Sequence, residues 1–414
     1  MQRLLFALAL TFLLIFVFPV FVLVRAQPLN GNQPQGQILV KFREGIPSNV
    51  VNALLLKNRA TVADRIAALD VLVLTVPQFQ EAKITQALSK SLIVEYAETN
   101  YLAEAFFVPN DPYFAPNQWG MENTGQTIAG QQGTVDADID ASSAWDVTLG
   151  GGVKVAVLDT GVDQDHEDLP INFSLQKNFT TSPSVDDFYG HGTHVAGIIA
   201  ATGDNGIGVS GGCPSCVILN GKVLRDDGAG YYSWIANGII WSADNQAKVI
   251  NLSLGGSASS RTLQKAVNYA WNKGAVVVAA AGNSGNQSKT YPAAYANAIA
   301  VAATDNRDKK ASFSSYGAKW VDVAAPGENI FSTFPNHTFT IGTKYGRSQN
   351  YDFGSGTSMA TPMVSAVAAL VWTTSYNTNN SAVRARVEST ADKITGTGTY
   401  WSAGRVNAAS AVTP

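Results

Sequence analysis

Gly356-Thr357-Ser358-Met359-Ala360-Thr361-Pro362 places a serine among small residues at the head of an apolar run, Met359 to about Trp372, that reads as a buried helix. At a helix start the first backbone N–H groups lack intrahelical partners, so a hydroxyl there stands beside free hydrogen-bond donors. That is a place for a nucleophile. It is also a place for an ordinary capping serine, whose side chain closes the first turn. Other parts of the chain decide between the two.

A serine hydroxyl attacks a carbonyl only if a neighbouring base takes its proton and a third group fixes that base. The chain has 4 histidines: His166, His191, His194 and His337. His191 and His194 lie in Gly190-His191-Gly192-Thr193-His194-Val195-Ala196-Gly197, a glycine-flanked turn that enters an apolar stretch with His191 at its mouth. His194 reads as a packed or hydrogen-bonded structural histidine, and His166 and His337, in polar loops, need no role. The carboxylate is Asp159, which follows Val153-Lys154-Val155-Ala156-Val157-Leu158, a glycine-bounded apolar run that reads as a buried parallel strand. Open α/β sheets hold their active sites at the carboxyl ends of such strands. A second run, Val276 to Ala281, ends in Gly282-Asn283-Ser284-Gly285, where the Asn283 amide can donate to a developing oxyanion or serve only as a turn former.

The chain order Asp159, His191, Ser358 is that of subtilisin. With Asp-Thr-Gly-Val-Asp (159 to 163), the octapeptide at 190 to 197 and the heptapeptide at 356 to 362, the chain resembles the subtilisin-like serine peptidases, and within them the thermitase branch. The resemblance implies Ser358 as nucleophile, His191 as proton carrier, Asp159 as its orienting group, and Asn283 with the Ser358 N–H as oxyanion donors. It implies that Ser253-Leu254-Gly255-Gly256 and Gly228-Ala229-Gly230 flank an extended peptide and hold it by its backbone. The primary pocket is then walled by Ala280, Ala281 and Gly282 with Thr290 at its base, where a residue larger than glycine shortens it. Asp226 and Asp227, beside the second edge, read either as a preference for basic residues upstream of the cut or as a solvated acidic turn. A structural calcium site is implied at Asp111, Asp168 and Asn205 with the carbonyls of Thr202, Ile207 and Val209, an all-oxygen set suited to a hard cation. Without the resemblance, Asp and Asn in such a Gly-rich loop are turn formers.

From Gly150 onward, apolar strand-like runs alternate with helical patterns, which predicts an α/β fold with a largely parallel sheet covered on both faces. Strands are expected at Val153 to Asp159, Val217 to Leu224, Val249 to Leu254, Ala275 to Ala280, Ala298 to Ala303 and Val321 to Ala324. Ahead of this, strand (Gln37 to Phe42), helix (about Ser48 to Arg59), strand (Val71 to Val76), helix (about Gln78 to Ser89) and strand (Leu92 to Ala97) suggest a small ferredoxin-like α+β module, which also resembles the inhibitory propeptide of the family. Met1-Gln2-Arg3, the apolar run Leu4 to Val24 and the small residue at Ala26 form a signal peptide, with an uncleaved membrane anchor as the alternative because the run is long. The expected division is signal peptide 1–26, propeptide 27–105 and catalytic domain 106–414. Maturation is expected near Ala105 to Phe107, since Phe106 to Phe114 resembles the mature start of the thermitase branch.

With 14% charged residues and a net charge of -3, nothing in the composition points to nucleic acid or an anionic membrane as partner. Cys213-Pro214-Ser215-Cys216 has thioredoxin-type spacing but sits in what looks like a surface turn, where a small disulfide and free thiols both fit. Zinc is set aside, since no ligand spacing supports it. Asp159-Thr160-Gly161 is half of an aspartic-peptidase dyad with no second half, and Asp352-Phe353-Gly354 lacks the other parts of a kinase. The expectation is a secreted, monomeric serine endopeptidase made as a self-processing zymogen, with protein and peptide substrates, its own propeptide as intramolecular inhibitor and no organic cofactor. A catalytically silent binding protein on the same fold is the rival reading, and the filled catalytic positions argue against it. Whether the long polar loop from about Thr333 to Tyr351 covers the cleft is left open.

Overall fold

The computed structural model describes residues 36–101, 108–169 and 175–413. The expected signal peptide at 1–26 and the expected maturation site at 105 to 107 lie outside the described residues.

The first segment is a four-stranded antiparallel sheet in the spatial order Thr61–Ile66, Val71–Thr75, Gln37–Phe42, Val94–Thr99. Helices Ser48–Lys57 and Glu81–Ser89 contribute Leu55, Ile84 and Leu88 to a core with Ile38, Val40 and Leu74. This is the β-α-β-β-α-β order of a ferredoxin-like module. Strand Thr61–Ile66 was not expected. Each of its residues is exposed, so its sequence carries no alternation of buried and open positions.

The second segment is built on an 8-stranded parallel sheet. In spatial order its strands begin at Gly404, Val323, Ala298, Val276, Val249, Lys154, Val217 and Leu175. The apolar runs are continuous because both faces are buried. Val155, Val157, Val276 and Val278 point into a core shared with helices His191–Ala200 and Thr357–Val371. Ala156, Leu158, Val277 and Ala279 point the other way, into a core shared with helices Tyr232–Asp244 and Arg261–Asn272. Period-two alternation within an unbroken apolar run is what a doubly covered parallel strand requires.

Two strands end earlier than expected, at Lys222 and Leu252, and Leu224 with Gly228 to Gly230, and Ser253 to Gly255, become walls of a cleft at the carboxyl edge of the sheet. The polar loop at 333–351 is in fact structured. Strands Ile330–Phe334 and Asn350–Gly354 pair as a hairpin with a short helix, Thr340–Tyr345, between them. The hairpin leans on the turn before His191: Thr340 N–H donates to the Phe188 carbonyl (2.9 Å) and Ile341 N–H to the Tyr189 carbonyl (3.0 Å).

Candidate active site

Asp159 is the last residue of strand Lys154–Asp159 and is fully buried. Its Oδ1 accepts hydrogen bonds from the Thr160 N–H (2.8 Å) and from His191 Nδ1 (2.7 Å). Oδ2 is buried without a partner. The acid's charge is therefore directed at the imidazole and one adjacent N–H. His191 opens helix His191–Ala200, and Gly192 lies so close to the Gly161 carbonyl that no side chain fits there. Behind the turn, the buried Asp187 accepts from the N–H groups of Gly190 (2.8 Å) and Thr193 (2.8 Å) and from the hydroxyls of Thr160 (2.8 Å) and Thr193 (2.7 Å). Burial by itself pushes the His191 pKa down. The charge and hydrogen bond of Asp159, with the charge of Asp187, outweigh it and hold the pKa above the ordinary imidazole value.

Ser358 is the second residue of helix Thr357–Val371, and its hydroxyl donates to the Ser253 carbonyl (3.0 Å) rather than to His191. The backbone of Ser358 is held in an unusual way. Pro362 sits inside the helix four residues on and has no N–H, so the Ser358 carbonyl lacks its helical donor. The Ser253 hydroxyl takes that place (2.8 Å). Asn251 Nδ2 in turn donates to Ser253 Oγ (3.0 Å), and the Ser365 hydroxyl donates to Asn251 Oδ1 (2.8 Å). Asn251 and Ser365 are fully buried. Neither they nor Thr160 and Asp187 were singled out in the sequence. The available signal was a polar residue within an apolar strand, Asn251, and another within an apolar helix, Ser365.

Asn283 lies just past strand Val276–Ala280, and its Oδ1 accepts from the N–H (2.9 Å) and the hydroxyl (3.0 Å) of Thr357. Its amide NH2 is thereby turned away from Thr357. A Cβ on Gly356 would lie 3.3 Å from Asn283 Nδ2 and 3.5 Å from the Ser358 nitrogen, so the two donors face one small volume.

Both expected substrate edges meet at a cleft of about 380 Å³ lined by His191, Tyr189, Leu224, Gly230, Ser253 and Leu254, among others. Gly228 and Ala229 also line it, but the Gly228 N–H is bonded to the Arg225 carbonyl and the Ala229 carbonyl to the Arg225 N–H. Gly256 exchanges both its backbone groups with Tyr291 (2.9 and 2.8 Å), so it closes the edge that Ser253, Leu254 and Gly255 leave open. Thr290 sits between that edge and the next strand: a Cβ on Gly255 would meet its methyl at 2.5 Å and one on Gly282 its hydroxyl at 2.7 Å. Ala280 and Ala281 are buried, and Ala281 packs inward beside Val321 and Trp401. Asp226 pairs with the buried Lys222 (2.7 Å) and Asp227 with Arg225 (2.7 Å), which favours a structural acidic turn over selection of basic side chains.

A sequence profile of the subtilase family matches residues 150–405. The chain belongs to that family. A profile of the fervidolysin N-terminal prodomain matches residues 29–100. Thermitase of Thermoactinomyces vulgaris is 48% identical over 307 residues, covering 74% of this chain and 99% of thermitase. A thermophilic serine proteinase of Bacillus sp. strain AK1 is 42% identical over 389 residues, covering 93% of this chain and 89% of its own. Among solved structures, a protease of Pseudoalteromonas arctica aligns with a TM-score of 0.63 at 31% identity, covering 74% of this chain and 99% of that one. This subtilase is a serine endopeptidase with an N-terminal prodomain.

In this subtilase the residues of the expected calcium site come together. The loop at 202–209 joins two buried acids: the Asp204 and Asn205 N–H groups donate to Asp111 (2.9 and 3.1 Å), while Asn205 Nδ2 and the Val209 N–H donate to Asp168 (2.9 and 2.8 Å). Burial, with the nearby Asp111 charge adding to it, pushes the Asp168 carboxyl up to about 7. A Cβ on Gly208 would run into the Asp168 carboxylate, so glycine keeps the loop close to it. Two buried acids held by neutral N–H groups concentrate negative charge in a way that suits a hard divalent cation.

Cys213 and Cys216 are joined as a disulfide, with both cysteines buried and the turn residues Pro214 and Ser215 between them reaching solvent, as expected of a surface turn. Two expectations about polar residues change. His166 is buried: Nδ1 accepts from the Asp168 N–H (3.1 Å) and Nε2 meets the Asn350 carbonyl (3.0 Å), which ties the segment of Asp168 to the hairpin. His337 lies near Asp163 and Asp186. His194, by contrast, is packed as expected, against Phe334.

Proposed function

We propose that this subtilase is an exported, self-processing zymogen that cleaves peptide bonds through an acyl-enzyme. Ser358 attacks the scissile carbonyl after its hydroxyl swings from the Ser253 carbonyl to His191 Nε2. His191 carries that proton to the leaving amine, and Asp159 orients the ring and stabilises the imidazolium. Asn283 Nδ2 and the Ser358 N–H hold the oxyanion. Water then repeats the cycle on the ester. The observation that carries this reading is the 2.7 Å contact between Asp159 Oδ1 and His191 Nδ1, at a cleft whose opposite wall, Ser253, is bonded to Ser358.

Peptide substrates lie along Ser253 to Gly255 and Gly230. The pocket between Ala280 to Gly282 and Gly255 is shortened by Thr290. Asp111, Asp168 and Asn205, with the carbonyls of Thr202, Ile207 and Val209, would hold a calcium ion that stabilises the fold and takes no part in the chemistry. The segment at 27–105 acts as intramolecular inhibitor of the catalytic domain at 106–414, and the mature form works as a secreted monomer. Among the described residues no helix is long and apolar enough to cross a membrane.

The test is labelling with a fluorophosphonate. Stoichiometric labelling that is lost in Ser358→Ala supports the mechanism. Undiminished labelling of Ser358→Ala, or inhibition of wild type by pepstatin-type compounds instead, refutes it.

A further inference from the structure

Asp163, Asp186 and His337 each direct one donor atom into a common space, the three atoms lying within 4.8 Å of one another. The roles of the imidazole nitrogens follow from their neighbours. His337 Nδ1 is 3.1 Å from the Thr338 carbonyl, which can only accept, so Nδ1 carries the hydrogen. Nε2 is buried and has no hydrogen-bond partner. Its nearest carboxylate oxygen, Asp186 Oδ2, is 3.6 Å away, too far for a hydrogen bond but a normal spacing for two atoms bound to one metal ion. The other oxygen of Asp186 accepts the Asp187 N–H (2.8 Å), which fixes the carboxylate with Oδ2 free. Asp163 is fully buried and held by the N–H groups of Asp165 (3.1 Å) and Asn336 (2.7 Å). Lys222, the nearest buried cation, spends its ammonium on the Thr160 and Asp186 carbonyls and on the Asp226 carboxylate.

With the hydrogen on Nδ1 and the ring neutral, lone pairs of one nitrogen and two carboxylates face each other, and a metal ion would take the place of the proton that otherwise pairs Nε2 with Asp186. An imidazole whose far nitrogen donates to a carbonyl is set up as a metal ligand. One nitrogen and two oxygens suit a borderline divalent ion such as Zn²⁺ or Co²⁺ better than Ca²⁺, which takes six to eight oxygens. Asp186 and His337 are partly exposed, which leaves water access to a fourth position.

We propose that Asp163, Asp186 and His337 bind one divalent transition-metal ion, separate from the calcium loop, that clips together the segments carrying the triad. Asp163 lies on the loop after Asp159, Asp186 on the turn before His191, and His337 on the hairpin that leads to the helix of Ser358. The ion stabilises their arrangement and touches neither substrate nor the reacting atoms.

The inference does not depend on the catalytic reading, and its test uses no turnover. Full-length Ser358→Ala protein, which cannot digest itself, is kept in excess calcium and titrated with Zn²⁺ or Co²⁺. One ion should bind per chain, Zn²⁺ at a hundredfold excess over Kd should raise Tm by roughly 3 to 4 °C, and Co²⁺ should give a visible ligand-field band. His337→Ala should abolish the shift and the band. Asp186→Asn, which keeps the shape of the side chain, should weaken binding at least tenfold and serves if His337→Ala does not fold. Absence of binding in the parent protein, or an unchanged shift in the variants that fold, overturns the proposal.

Discussion

Replacing Ser253 by alanine removes a hydroxyl that does two jobs, accepting from Asn251 Nδ2 and donating to the Ser358 carbonyl. Both groups lose their partner. An unpaired buried polar group costs about 1 to 3 kcal/mol. Asn251 is fully buried and bears its share in full, whereas Ser358 is half-buried and water softens the loss there, so about 2 to 4 kcal/mol is expected in total. The decisive variant is Pro362→Ala, which restores an N–H one helical turn beyond the Ser358 carbonyl. In that background the carbonyl has a donor again, and Ser253→Ala should cost about 1 kcal/mol less. Urea unfolding of the four members of the cycle, all carrying Ser358→Ala to prevent autolysis, measures the coupling as shifts in midpoint at constant slope. Effects that add to within about 0.3 kcal/mol would refute the idea that Ser253 replaces the missing proline donor.

The acid limb of kcat/KM should have its midpoint above the ordinary imidazole value of 6.5, because catalysis needs neutral His191 and the Asp159 charge stabilises the protonated ring. Asp159→Asn leaves burial as the main influence, so the limb should move to lower pH while kcat falls about 10⁴-fold; a limb that stays put would show that Asp159 does not set that pKa. Asn283→Ala should lower kcat roughly 10²- to 10³-fold, the range known for such a donor in subtilisin, with KM little changed; a change confined to KM would place Asn283 in substrate binding instead. Chelation of the full-length Ser358→Ala protein should lower Tm by roughly 5 to 7 °C if calcium stood at a thousandfold excess over Kd, and calcium alone should restore it. Asp168→Asn should keep the low Tm with or without calcium, and equal Tm values for the parent protein in chelator and in calcium would count against the site.

The central strands were legible because a parallel sheet covered on both faces turns into runs such as Val276 to Ala280, which no exposed segment would tolerate. The proposed triad positions were legible because each sits at the end of such a run or at the start of a helix. Strands at the margins were not. Leu175–Asn178 is a polar edge strand, and Thr61–Ile66 is exposed along its length. The hairpin escaped for a different reason. Its buried Ser332 and Thr333 look like loop residues in the sequence, yet their hydroxyls donate to the carbonyls of His194 (2.9 Å) and Thr193 (2.8 Å) far away in the chain. The same holds in part for Asp187, Asn251, Ser365 and His337: each has one neighbour from far along the chain, Thr160 for Asp187, Ser365 and Asn251 for one another, and Asp163 and Asp186 for His337, and no local pattern records which distant groups a fold will bring together.

The hairpin touches the turn of the base at one end and feeds the helix of the nucleophile at the other, while its tip, from Tyr345 to Arg347, is exposed. A shortening at that tip is passed to both the His191 turn and the Ser358 helix. On the proposed mechanism, trimming it should lower kcat before it changes KM, and an effect confined to KM would count against that route. The tip is a handle on the chemistry that can be reached from solvent.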